Sequence, residues 1–85
     1  MGTLHLVNHA SALDSCKCIA RPEDTILLIE DAVTAARDDH DRPLLALLED
    51  LAHQRVPRLG ANVRSIDRTD FVELVATHQP IVTWR

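Results

Sequence analysis

Short apolar runs alternate with helix-like stretches along this chain, and the pattern changes period at nearly every polar break. The segment "TLHLV" (Thr3 to Val7) is short, rich in apolar and branched side chains, and closed by Asn8, which predicts a strand. In "ASALDSCKCIA", Leu13, Cys16 and Ala20 fall at i, i+3 and i+7, a helical stripe, with Ser11 as the expected N-cap. Arg21-Pro22 ends that helix, because proline disfavours helical geometry in the residue before it. "TILLIE" is a continuous apolar run, as expected of a central strand covered on both faces. "DAVTAARDD" predicts a short helix before the polar turn "DDHDRP".

The next stretch supports two readings. "PLLALLEDLAHQRV" places Leu44, Leu47, Leu48 and Leu51 on one face of a helix. It equally fits a strand over Leu44–Leu48 followed by a short helix from Glu49 to Arg55, with Pro43 at the first strand residue. "NVRSID" then predicts a strand anchored by Val63 and Ile66. "RTDFVELVATHQ" is a helix with Phe71, Leu74, Val75 and His78 on one face, a cap from Asp67 or Thr69, and a stop at Pro80. "IVTW" predicts a last strand. Strands alternating with helices imply an α/β fold, a small open and mostly parallel sheet of about five strands. Several crossovers are barely a dozen residues long, the minimum for a parallel connection, so they should cover the sheet incompletely and favour association with partners.

Composition narrows the function. An 85-residue chain is expected to form one domain, residues 1–85, and a hydrophobic fraction of 46% argues against disorder. The only large aromatic residues are Phe71 and Trp84, too few to stack bases, and the net charge of −4 opposes a phosphate backbone. No direct nucleic-acid binding is expected. No run approaches a membrane span and no secretory pattern is visible. Met1-Gly2 opens like an acylation signal, but Leu6 stands where Ser or Thr is required. Cys16 and Cys18, one residue apart, are a poor disulfide pair, and reduced thiols suit the cytoplasm.

The quoted pieces occur in an order that resembles the DsrH/TusB family of sulfur-relay proteins. They are "LHLVNHAS", "DSC", "ILLIEDAVTAA", "LALLEDLA" and "IDRTDFVELV", followed by a histidine and "VTW". The resemblance implies a DsrE-like, flavodoxin-like three-layer fold and places a strand at Leu44–Leu48. It implies a cytoplasmic subunit that joins DsrE/TusD-like and DsrF/TusC-like sister subunits in a heterohexamer. That complex passes persulfide sulfur through cysteine thiols to a small DsrC/TusE-like acceptor. The sulfur serves tRNA wobble-uridine 2-thiolation or intracellular sulfur oxidation. The chain departs from the family at Ala32 (usually Gly), at Arg68 (often Tyr), in "HQRV" (often "ARGL"), and in a short segment between Ala36 and Pro43.

Cys16 falls where many members carry the only cysteine of this subunit, which makes it the candidate sulfur-handling thiol. A carrier thiol must be accessible and sit in positive surroundings, and Lys17 and Arg21 are its sequence neighbours. The opposing reading is that Cys16, on the apolar stripe, is a small buried hydrophobe and that sulfur is carried only on sister subunits. Cys18, roughly 200° around the helix, is expected on the polar side. His5, His9, His40, His53 and His78 are too scattered for a metal site, with His78 suited to the negative end of its helix. Glu30-Asp31 and the Asp67/Asp70 pair are explained by caps and helix dipoles, and there is no phosphate-binding glycine loop. No cofactor and no metal are therefore expected.

Overall fold

A computed structural model describes residues 2–85 of the chain; Met1, with its acylation-like start, lies outside the described residues. Five strands form one parallel sheet in the order β4-β3-β2-β1-β5. They are β1 (Leu4–Val7), β2 (Thr25–Leu28), β3 (Leu44–Leu47), β4 (Val63–Ile66) and β5 (Ile81–Trp84). Three α-helices, α1 (Leu13–Ile19), α2 (Leu48–His53) and α3 (Arg68–Thr77), and a 3-10 helix (Glu30–Arg37) make the crossovers. This is the open α/β sheet that the alternating pattern predicts.

Because side chains alternate across a strand, each apolar run supplies two cores. One face carries Val7, Ile26, Leu28, Leu44, Ala46 and Val63, closed by Leu13 and Cys16 of α1, Ala32, Val33 and Ala36 of the 3-10 helix, and Leu51 of α2. The other carries Leu4, Leu27 and Ile66 and, among the described residues, is covered by α3 through Phe71 and Leu74. The cover is unequal. No residue of α3 is fully buried, and its Val72 and Val75 remain 58% and 38% exposed. Val75 therefore lies off the buried face of Phe71 and Leu74, contrary to what its spacing predicts. The thin crossovers leave Ile81 and Val82 of edge strand β5 exposed as well.

Leu44–Leu47 is a strand and the helix begins at Leu48, so the two-element reading holds and the single amphipathic helix does not. Leu44 and Ala46 face the three-helix side, while Leu45 packs toward α3. The helical spacing of these leucines arises because a strand buried on both faces is apolar throughout.

The helix ends and turns show how the sequence is read locally. Ser11 does not cap α1; a short 3-10 turn, Ala10–Ala12, leads into the helix, and its N-cap Ala12 offers no side-chain bond. Asp67 does cap α3, accepting from the Asp70 amide at 2.9 Å. At the end of α2, where the family often has glycine, Arg55 takes the left-handed conformation itself (φ 56°). Its amide donates to the Ala52 carbonyl and the Val56 amide to the Leu51 carbonyl, a Schellman closure built without glycine. After β2 the left-handed residue is Glu30 (φ 50°), so Ala32 needs no glycine-like geometry.

Candidate functional site

Cys16 sits midway along α1 with its side chain turned into the three-helix core, where it has no solvent exposure. Burial pushes its thiol up from 9.0 to about 11; the Arg42 guanidinium pulls the other way and Asp24 adds slightly to the rise. Cys18, on the opposite side of α1, is exposed, and both cysteines are free. The two thiols thus occupy opposite environments, as the helix geometry predicts.

The positive charge felt by Cys16 comes from Arg42, not from its sequence neighbours. Lys17 turns to the loop before β3, donating to His40 Nδ1 at 2.7 Å and lying 3.6 Å from Asp41. His40 in turn donates through Nε2 to the Ala35 carbonyl at 2.8 Å. Arg42, one residue before Pro43, reaches back across the end of α1. Its Nη1 donates to the Ala20 carbonyl at 3.2 Å, and its Nη2 to the carbonyls of Arg21 at 3.0 Å and Asp24 at 3.2 Å. Its Nε is buried with no partner among the described residues. The loop from His40 to Arg42 therefore fastens the half of α1 that contains Cys16.

Beside this clasp, Asp24 organises the turn between α1 and β2. Its Oδ1 accepts from the Thr3 amide at 2.8 Å, and its Oδ2 accepts from the Arg21 amide at 3.0 Å and from His5 Nε2 at 2.9 Å. The His5 bond, then the Arg21 bond, hold its carboxyl down at about 2, well below the usual carboxylate range. His5 is itself buried and accepts from the Trp84 indole at 3.0 Å through Nδ1. These partners join β1, the α1–β2 turn and β5. Nothing local announces them, since Trp84 lies 79 residues from His5.

The remaining candidates stay apart. His9 is exposed, 3.8 Å from Asp31, while His5 points into the sheet, so the two do not converge. His78 caps α3, donating through Nδ1 to the Leu74 carbonyl at 3.0 Å and accepting from the Thr25 hydroxyl at 3.2 Å. Among the described residues no three His, Cys, Asp or Glu side chains gather as a metal would require. Glu30 offers its amide to Asp50 at 2.7 Å, and Asp67 is spent on its cap. Arg68 forms a two-point pair with Glu49 (2.7 and 2.8 Å), joining the start of α3 to α2. Among the described residues no helix is long and apolar enough to cross a membrane.

The arrangement can thus shelter a thiol; among the described residues no acid, base and nucleophile are assembled around it. No curated protein matches the chain. A family model described as "DsrH like protein" matches residues 7–81, from the end of β1 to the start of β5. That span is most of the chain and takes in α1 with Cys16; the chain belongs to the DsrH-like family, a family of sulfur-relay complex subunits.

Proposed function

We propose that this chain works in the cytoplasm, as one domain over residues 1–85, within a complex that relays persulfide sulfur to a small DsrC/TusE-like acceptor. Its partners are DsrE/TusD-like and DsrF/TusC-like sister subunits in a heterohexamer. The sulfur goes to tRNA wobble-uridine 2-thiolation or to intracellular sulfur oxidation. The observation that carries this reading is the family match over residues 7–81. The thin cover of the α3 face, with Val72, Ile81 and Val82 exposed, supports a chain that is completed by partners.

For the chain's own part, the closed packing of Cys16 favours a scaffold. A persulfide carrier reacts as an exposed thiolate, whereas this thiol is fully buried and pushed up to about 11. Sulfur is then carried on sister subunits, and α1 borders its path. A second reading keeps Cys16 as the sulfur-handling thiol, and the Arg42 cation beside it favours that reading. In it α1 swings clear, the Cys16 thiolate attacks the outer sulfur of a donor persulfide, and the donor leaves as a thiolate.

Sulfur transfer by the reconstituted complex, with Cys16→Ala in this chain, separates the two. Alanine is the right probe, because a serine hydroxyl among Leu13, Val33 and their neighbours would cost about 1–3 kcal/mol for want of a partner. Transfer at the wild-type rate makes the chain a scaffold. Loss of transfer with the complex intact makes Cys16 a carrier. Failure to assemble with any sister subunit would overturn the proposal as a whole.

A further inference from the structure

One largely buried chain of polar groups has no part in the sulfur chemistry proposed above. Trp84, His5 and Asp24 are linked in series across β5, β1 and the α1–β2 turn, at 3.0 and 2.9 Å. An indole N–H can only donate, so His5 Nδ1 must offer its lone pair and the single ring proton must sit on Nε2, facing Asp24. Only the neutral imidazole in this tautomer satisfies both neighbours. An added proton has one place to go, Nδ1, where it meets the indole N–H head on.

The geometry points to a proton-sensitive fastener at the seam between β1 and β5: protonation of His5 expels the Trp84 indole and loosens edge strand β5, while the Asp24 end of the chain tightens. The asymmetry follows from how each end is anchored. Asp24 is held by the amides of Thr3 and Arg21 as well as by His5, and it gains a charge-assisted bond when the imidazole becomes a cation. Trp84 belongs to a strand paired on one side only, through bonds such as the Asn8 amide to the Trp84 carbonyl. Its indole has no other hydrogen-bond partner among the described residues. The cheaper response is for the indole to turn outward.

The charges that face His5 among the described residues come from the α1–β2 turn and from Arg42. Asp24, Arg21 and Glu23 line the open cavity of about 490 Å³ beside His5, and the Arg42 guanidinium lies on the carbonyl of Asp24. The α1 helix contributes Ile19 to that cavity. Flanking His5 in the sheet are Ile26 of β2 and Val82 of β5, and the Trp84 ring is tilted 39° to the imidazole at 6.2 Å. The fastener is independent of whether Cys16 carries sulfur.

Trp84 is the single tryptophan, so its emission reads the event directly. In the full-length chain, lowering the pH from about 8 to about 5, the span in which imidazoles change charge, should shift the emission to the red and increase quenching by acrylamide. Far-ultraviolet circular dichroism should stay unchanged over the same span. In His5→Gln the side-chain amide can still accept from Trp84 and donate to Asp24 but does not titrate, so its emission should stay flat. An emission that is flat in the native chain, or that shifts equally in His5→Gln, overturns the proposal. Should the variant fail to fold, the native Trp84 indole N–H resonance decides. Movement in step with the His5 ring nitrogens supports the fastener, and constancy through the His5 titration refutes it.

Discussion

The two thiols provide the sharpest prediction because they share a helix and differ only in what surrounds them. Take the isolated chain and its Cys18→Ser variant, and treat both with a maleimide near neutral pH. The rise of the Cys16 thiol from 9.0 to about 11 lowers its thiolate fraction about 100-fold, since each unit is a factor of ten. Burial adds a second barrier, because the reagent cannot approach a side chain with no exposed surface unless α1 opens. Cys18, exposed on the same helix, has no such barrier. Intact-mass spectrometry of the native chain should therefore show one fast adduct, lost in Cys18→Ser, and a second at least about 100-fold slower. In denaturant both sites should label quickly. Equal labelling of the two cysteines in the folded chain would refute the packing of Cys16, and with it the argument for a scaffold.

Three further outcomes follow from the contacts. Asp24→Ala should destabilise the chain by about 3 kcal/mol in urea melts, since it strands the amides of Thr3 and Arg21 and the ring proton of His5. Because folding holds the Asp24 carboxyl near 2 rather than 3.8, its stabilisation is complete above about pH 4 and fades as pH falls toward 2. The variant should accordingly lose less stability across that acid window than the native chain, and an equal loss would contradict the assignment. Arg55→Gly should raise stability by about 0.5–1 kcal/mol, visible as a higher Tm, because glycine tolerates the left-handed φ of 56° that arginine must be forced into. Leu28→Ala, a fully buried site, should cost about 3 kcal/mol, whereas Val72→Ala, 58% exposed on α3, should cost well under 1 kcal/mol in the isolated chain.

What could be read from the sequence was whatever is written locally. The continuous run "TILLIE" announced a strand covered on both faces, and Asp67 three residues ahead of Asp70 announced a cap. The β3–α2 segment could not be divided by periodicity, because four leucines at helical spacing are compatible with a strand that needs apolar residues on both sides. Family resemblance decided it, and the structure agrees. Ser11 misled because it lies inside a 3-10 turn, Ala10–Ala12, so that Ala12 and not Ser11 stands at the N-cap of α1.

The surroundings of Cys16 were beyond sequence reading. Lys17 and Arg21 are near it in number, but the cation that acts on the thiol is Arg42, which arrives from a loop more than twenty residues on. The same holds for Asp24, His5 and Trp84, which only the sheet order brings together. The helical stripe of Leu13, Cys16 and Ala20 did carry the essential hint that Cys16 faces inward.

The role of this chain is decided by the company it keeps and by where sulfur is held within that company. Its most direct test is to purify the chain from its native cells without reductant and take intact masses of every protein that accompanies it. Two sister subunits, with additional sulfur on one of them and this chain at its unmodified mass, is the result expected here. An additional sulfur on this chain that vanishes in Cys16→Ala would contradict the scaffold, and recovery of the chain alone as a monomer would contradict the relay complex itself.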